Sequence, residues 1–293
     1  MPNQLTAGER AFGYINTLLM LMLCFVTLYP FLYVLFSSFS DPTLLAQHRG
    51  LLFGPLGFNT DAYAAVFDNP MIGQGYRNTL FYVTAGTALN LFMTCLGAYV
   101  LSRKNVLFGN VMMFMIVITM VFSGGLIPSY LVVTKLGMLN TPWALIIPGL
   151  INTFNMIIMR TAFQTVPVSL EESARMDGAH DMTILFRIIL PLSMPVIAVM
   201  ILWYAVGHWN SYFSALIYLR DRELYPLQLI LREILITNST DNMMTGASMG
   251  DKIPIGETIK YATIIVSTLP ILCLYPFLQK YFVKGVMIGA IKE

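Results

Sequence analysis

Charge is what this chain has least of. Asp, Glu, Lys and Arg make up 11% of its 293 residues and hydrophobic residues 57%, whereas a soluble domain carries about 25% charged residues. So few charges cannot cover a soluble surface, and the chain reads as membrane-embedded. Lys and Arg number 17 against 15 Asp and Glu. No basic tract stands out, so nothing points to nucleic acid. The three cysteines, Cys24, Cys95 and Cys273, are odd in number, fit no metal spacing and lie in apolar runs. They are expected to be small buried apolar residues. No G-x-x-x-x-G-K-[ST] phosphate loop occurs. The nearest Gly–Lys pairing, GETIK at Gly256–Lys260, lacks the first Gly and a preceding strand, so the chain is not expected to bind ATP itself. His48, His180 and His208 are scattered and no H-E-x-x-H is present, which leaves an intramembrane hydrolase without an evident catalytic group. Glu9 and Arg10 precede an apolar run too long for a secretory leader.

What the chain has instead is apolar length. Six runs contain no Asp, Glu, Lys or Arg: Ala11–Ser40, Asn78–Leu101, Val106–Thr134, Leu136–Met159, Ile188–Leu219 and Tyr261–Gln279. A spanning helix needs roughly 20 apolar residues. Barrel strands are shorter and alternate, so these runs predict an all-α membrane protein with six transmembrane helices. The longer runs must contain turns, the third at Ser123-Gly124-Gly125 and Pro128, and the fifth changes character at His208. An even number of spans puts both termini on one side. The Arg103-Lys104 turn and the Lys280/Lys284 pair, both close to span ends, place that side in the cytoplasm.

Between the fourth and fifth runs lies SLEESARMDGAH, Ser169–His180. Pro167 blocks helix continuation before it, and Ser169 stands at capping-box spacing from Glu172. Glu171 and Glu172 would sit at the positive end of a short helix ending near Met176. Gly178 would supply a left-handed stop. A second helix follows, with Met182, Leu185, Phe186 and Ile189 at helical spacing, and Pro191 and Pro195 bend the chain into the fifth run. The stretch is thus a helix–Gly–helix elbow at the membrane surface. An ordinary capped turn is the alternative, although long connections are usually functional or disordered.

EESARMDGA followed by FRIILPLSMP resembles the cytoplasmic loop signature of bacterial ABC importer permeases, through Glu172-Ser173-Ala174, Asp177-Gly178-Ala179, Ile189-Leu190-Pro191 and Pro195. The Asp-Gly-Ala form points to the carbohydrate-uptake branch, and Ser173 stands where Ala is usual. GHWNSYFSALIYL (Gly207–Leu219) is similar to the Trp-Asn segment of sugar permeases. YFVKGVMIGAIKE (Tyr281–Glu293) resembles the tail of maltose-type and lipoprotein/oligosaccharide-type permeases. FSGGLIPSYLVVTKLGMLNTPWALIIPG (Phe122–Gly149) looks most like the oligosaccharide or polysaccharide subgroup.

The resemblance implies a type I ABC importer permease fold with a cytoplasmic coupling helix, in the bacterial plasma (inner) membrane. Residues 1–10 form an N-terminal arm and 11–293 a single permease domain, with core 73–282, coupling loop 164–191 and tail 283–293. It implies a second homologous permease subunit, two ATPase subunits that bind ATP and Mg, an extracytoplasmic solute-binding protein and an oligosaccharide substrate. This chain would be non-catalytic and hold no cofactor or metal. Glu171, Glu172, Ser173, Ala174, Asp177, Gly178, Ala179 and Pro191 would form the ATPase-coupling site. Lys284, Gly285 and Gly289 would carry the tail contact, a frayed terminus being the plain alternative.

Sugars are held by stacking aromatics and hydrogen-bonding amides. Trp209, Asn210, Tyr212 and Phe213, with Asn152, Asn155 and Tyr130, are the candidates for the substrate path. Bonding between neighbouring helices competes with that role, as does a place at the membrane interface. Arg220–Lys260, with helical spacing at Leu227, Ile230, Leu231 and Ile234, would meet the solute-binding protein or serve as scaffold. An ion-coupled secondary sugar transporter is the rival; such carriers place ionisable groups inside their spans, and His208 is the one candidate in the six runs.

Overall fold

The computed structural model describes residues 6–103, 105–244 and 258–273. The described residues are helical and contain no strand, only an isolated bridge between Ser40 and Phe58. They form two compact units, 6–69 with 233–244 and 258–268, and 70–232 with 269–273.

In the first unit, α1 (Ala7–Ser38) starts at a capping box: Thr6 Oγ1 accepts from the Glu9 amide at 3.4 Å and Glu9 Oε2 accepts from the Thr6 amide at 2.7 Å. The helix therefore begins ahead of the apolar run, with Glu9 and Arg10 inside it. Its apolar side chains from Phe12 to Leu28 are exposed on every face, the pattern of a helix whose surroundings are apolar. Cys24 is among them, and Cys273 is exposed too, so only Cys95 is buried as expected. Asp41 caps α2 (Pro42–Gln47), accepting from the amides of Thr43 at 2.8 Å and Leu44 at 3.2 Å. Phe39 stacks on Phe58 and on Tyr63 of α3 (Asp61–Asp68).

The second unit is built on α4 (Pro70–Ser102). It begins eight residues before the predicted span (78 − 70) because Arg77 interrupts the apolar run without interrupting the helix. Beside Ile72, Tyr82, Cys95 and Tyr99, its buried residues are small or polar: Gly75, Thr79, Gly86, Thr87, Asn90, Thr94, Ala98 and Ser102. Small and hydrogen-bonding residues let helices approach closely where no hydrophobic drive separates protein from lipid. The chain then runs through α5 (Gly109–Val121) and α6 (Leu126–Lys135), bent by 112° where Gly125 takes φ +82. The third run is thus two helices joined at the turn expected from Ser123-Gly124-Gly125. After α7 (Trp143–Ile146) and a 3-10 turn (Ile147–Gly149), a 52° bend leads to α8 (Thr153–Gln164).

Next come α9 (Val168–Met176), α10 (Asp181–Ile184), a π-helical turn (Leu185–Ile189) and α11 (Leu190–Leu192), and an 89° bend at Ser193. Then follow α12 (Met194–Trp209), α13 (Phe213–Tyr218), α14 (Leu227–Met244) and α15 (Thr258–Cys273). Among the described residues two helices, α1 and α4, are each long and apolar enough to cross a membrane, and the three bent pairs qualify when each is taken as one span.

α4 packs against α8 and α12. Around its C-terminal half lies one apolar core, with Tyr99, Met159, Phe163, Leu185, Ile189 and Met200. A second, with Tyr82, Ile146, Ala215, Tyr218 and Leu229, surrounds its N-terminal half. There the segment before α14 is stitched to α4: Asn78 Nδ2 donates to the Glu223 and Tyr225 carbonyls, Tyr82 Oη to the Leu224 carbonyl, and the Leu227 amide to Thr79 Oγ1 at 2.8 Å. Leu227, Ile230 and Leu231 are buried as their spacing predicts.

Candidate functional site

The elbow forms, but not with the expected start. α9 begins at Val168 with Pro167 at its N-cap and no side-chain cap. Ser169 therefore lies inside the helix, and the Ser169–Glu172 capping box is not made. Pro167 explains this: its fixed φ of −57 and extended ψ of 129 already set the chain for entry into a helix. The end of α9 is as predicted. Gly178 takes φ +80, its amide donates to the Arg175 carbonyl at 3.0 Å, and the Ala179 amide donates to the Ala174 carbonyl at 2.9 Å. Those two bonds are a Schellman stop, which favours glycine at the left-handed position.

The two glutamates diverge. Glu172, Ser173, Asp177 and Gly178 are exposed, and Ala174 and Ala179 are partly buried. Glu171 turns inward and is 6% exposed. Its carboxylate pairs with Arg103, in the turn after α4, and with Arg175 Nη2 at 3.1 Å; the same Nη2 reaches Asp181 Oδ1 at 2.8 Å. A cavity of about 510 Å³ opens beside this cluster, lined in part by Ser102, Arg103, Phe163, Val166, Glu171 and Arg175. In the following arm the buried face is Ile184, Leu185 and Ile189, while Met182 and Phe186 are exposed. The π-helical turn at Leu185–Ile189 shifts the face from that expected of a regular α-helix.

Midway along α4 lies a second polar cluster. Asn90 Nδ2 donates to the carbonyls of Gly149 at 2.6 Å and Leu150 at 2.9 Å, at the break before α8. Its Oδ1 lies 2.7 Å from His208 Nε2. The imidazole fits because Gly86 faces it: a Cβ there would come within 2.6 Å of Cε1. One turn on, the Thr94 hydroxyl meets Tyr204 Oη at 2.7 Å, and Tyr204 Oη accepts from the Asn152 amide at 3.4 Å. Asn152 Oδ1 caps α8 through the Asn155 amide. Asn90, Asn152, Asn155, Tyr204 and His208 line a cavity of about 260 Å³ that also touches Trp203, Gly207 and Ser211.

Of the substrate-path candidates, the structure brings Asn152 and Asn155 to this cavity and leaves the others elsewhere. Trp209 is buried against Tyr76, and its indole N–H has no hydrogen-bond partner among the described residues. Asn210, Tyr212 and Phe213 are exposed past the end of α12, and Tyr130 stacks on Tyr218 at 6.2 Å. Asn90, Trp203 and Tyr204 were absent from the sequence reading. A single Asn in the middle of an apolar run was the available signal for Asn90, since a polar side chain there must find partners. Arg103 carried no such signal; its partner Glu171 lies 68 residues away. Lys284, Gly285 and Gly289 lie outside the described residues. So does GASMG (Gly246–Gly250), which has the spacing of a nucleophile elbow. Among the described residues no group of three or more His, Cys, Asp or Glu could hold a metal ion.

Residues 75–288 match the family described as binding-protein-dependent transport system inner membrane component. The chain is 43% identical to Protein LplC of Bacillus subtilis, over 98% of its own length and 97% of that protein. It is 42% identical to the polygalacturonan/rhamnogalacturonan transport system permease protein YtcP of the same organism, over 97% and 99%. Its fold matches a chain of the crystal structure of a bacterial ABC transporter involved in the import of the acidic polysaccharide alginate. That match has a TM-score of 0.86 and 33% identity, covering 95% of this chain and 99% of that one. None of these is an ion-coupled carrier by its name. They bear out the resemblance carried by the elbow and the Trp-Asn segment, and the chain belongs to the family of binding-protein-dependent transport system inner membrane components.

Proposed function

We propose that this chain is the permease subunit of an ATP-driven importer for oligosaccharides, fed by an extracytoplasmic solute-binding protein. It forms half of the translocation path beside a second homologous permease, and two ATPase subunits bind the ATP and Mg. The observation that carries this reading is the family match over residues 75–288, which takes in the elbow, both polar clusters and the bent helices around them. The six spans are α1, α4, the pairs α5–α6 and α7–α8, the α10–α12 arm and α15, with the termini and elbow in the cytoplasm of a bacterial cell.

The elbow suits coupling. Glu172, Ser173 and Asp177 face outward from a short helix with a fixed stop, and Gly178 sets the angle at which that helix leaves the arm. A partner gripping this face moves a rigid body, not a loop. The cavity around Asn90, Asn152, Asn155, Tyr204 and His208 offers amides, hydroxyls and the Trp203 ring, which is the chemistry sugars use. One similar protein is named for polygalacturonan and rhamnogalacturonan and another structure for alginate import; both support fragments of polysaccharides as the substrate class.

The test is binding-protein-dependent uptake by the reconstituted complex across galacturonan, rhamnogalacturonan, alginate and malto-oligosaccharides. ATP-dependent uptake of one of these supports the reading. A complex that carries none of them, but carries another class of solute, refutes the assignment of substrate.

A further inference from the structure

We infer that Arg103 is a positioning residue, which with Glu171 clamps the elbow to the end of α4 so that the two move as one lever. This rests on the reading of the elbow as the ATPase-facing element. The first support is the burial of Glu171. A carboxylate 6% exposed is held away from water only when its charge is paired. Here it has two partners, one from its own helix and one from the turn after α4. The second is that Arg103 is itself held. Its Nε donates to Ser102 Oγ at 3.1 Å, and its guanidinium lies 4.7 Å from the centre of the Tyr99 ring. Its place at the carbonyl end of α4 also suits a cation. Arg160 of α8 secures the same end, donating from Nε to the Leu101 carbonyl at 2.8 Å.

The third support is continuity. Arg175 carries the alternation of charge on to Asp181, across the Gly178 turn, so α9 and the start of α10 are tied to each other as well as to α4. From Ser102 back to Asn90, α4 is unbroken, a strut of about 18 Å at 1.5 Å per residue. Its far end holds the Asn90–His208 pair and the carbonyls at the break before α8. A displacement of the elbow thus reaches the polar cavity through one helix. Without Arg103, the ion pair from α9 to the end of α4 is lost and Glu171 keeps only Arg175, on its own helix.

The experiment uses the full reconstituted complex and measures substrate carried per ATP hydrolysed, alongside yield of assembled complex. Variants are Arg103→Gln, Glu171→Gln, the two together, and Arg103→Lys. The expected result for each single neutral variant is a fall in the ratio of about fivefold or more. The double variant, with no lone charge left, recovers part of it, and Arg103→Lys keeps most of it. A wild-type ratio in assembled Arg103→Gln overturns the clamp. So does an equal fall in Arg103→Lys, or a loss of yield that tracks transport while the ratio stays constant. Should the single variants fail to assemble, the double variant decides: a reduced ratio supports the clamp and a wild-type ratio overturns it. Gly178→Pro in parallel separates the two ideas. If it leaves binding-protein-stimulated hydrolysis intact, the elbow reading fails; if it abolishes stimulation while Arg103→Gln does nothing, only the clamp fails.

Discussion

At its C-terminal end α4 meets four charged side chains, Arg103, Glu171, Arg175 and Asp181, paired in alternation. At Asn90 and Thr94 the same helix meets amides, hydroxyls, backbone carbonyls and one imidazole. The difference follows the solvent. The Arg175 and Asp181 side chains are 51% and 66% exposed, so their charges remain partly hydrated, and only Glu171 and Arg103 give up most of their water. Asn90 and Thr94 are 1% and 0% exposed within an apolar run, where an ionised side chain is far more costly than a neutral one. One helix thus carries an ion-paired cluster near water and a neutral, hydrogen-bonded layer farther in.

The sharpest way to break this division is to disable one end only. Gly178→Pro cannot adopt φ +80, since proline is held near −65. Binding-protein-stimulated ATP hydrolysis should fall about tenfold or more, with the Asn90 layer untouched. Stimulated hydrolysis of the purified complex measures it. At the other end, Asn90→Leu strands two carbonyls and His208. Each buried group left unpaired costs about 1–3 kcal/mol, so the unfolding temperature in detergent should drop clearly while the elbow keeps its exposed face. Gly86→Ala pushes the His208 ring aside. Overpacking of that kind costs about 1–3 kcal/mol, and it narrows the cavity, so uptake should fall more than stimulated hydrolysis. The smallest effect on stability is expected for Glu172→Ala. An exposed substitution stays within about 0.5 kcal/mol, yet it should lower stimulated hydrolysis if Glu172 meets the ATPase. Unchanged hydrolysis would confine the coupling role to the rest of the elbow.

Much of this could be read from sequence, and what could not has a physical cause. Gly178, Pro191 and the turn at Gly124-Gly125 announce themselves because left-handed backbone and missing amides restrict the residue types allowed. The start of α1 was equally open to reading, since Thr6-x-x-Glu9 is a capping box. At Ser169-x-x-Glu172 the same pattern is present and unused, because Pro167 starts the helix two residues earlier. Phe186 left the predicted face because periodicity assumes 3.6 residues per turn and the chain there winds as a π-helix. The clamp was out of reach for a different reason: Arg103 and Glu171 meet only through packing of α4 on α8, and no local rule links positions 68 apart.

The most direct measurement is uptake of a labelled polysaccharide fragment into proteoliposomes. These would hold this chain, its partner permease and the ATPases, with binding protein outside, ATP inside and ionophores collapsing all ion gradients. Uptake that requires ATP and binding protein, persists without gradients and is lost in Gly178→Pro is the expected result. Uptake by this chain without the ATPases, driven by a sodium or proton gradient, would contradict it.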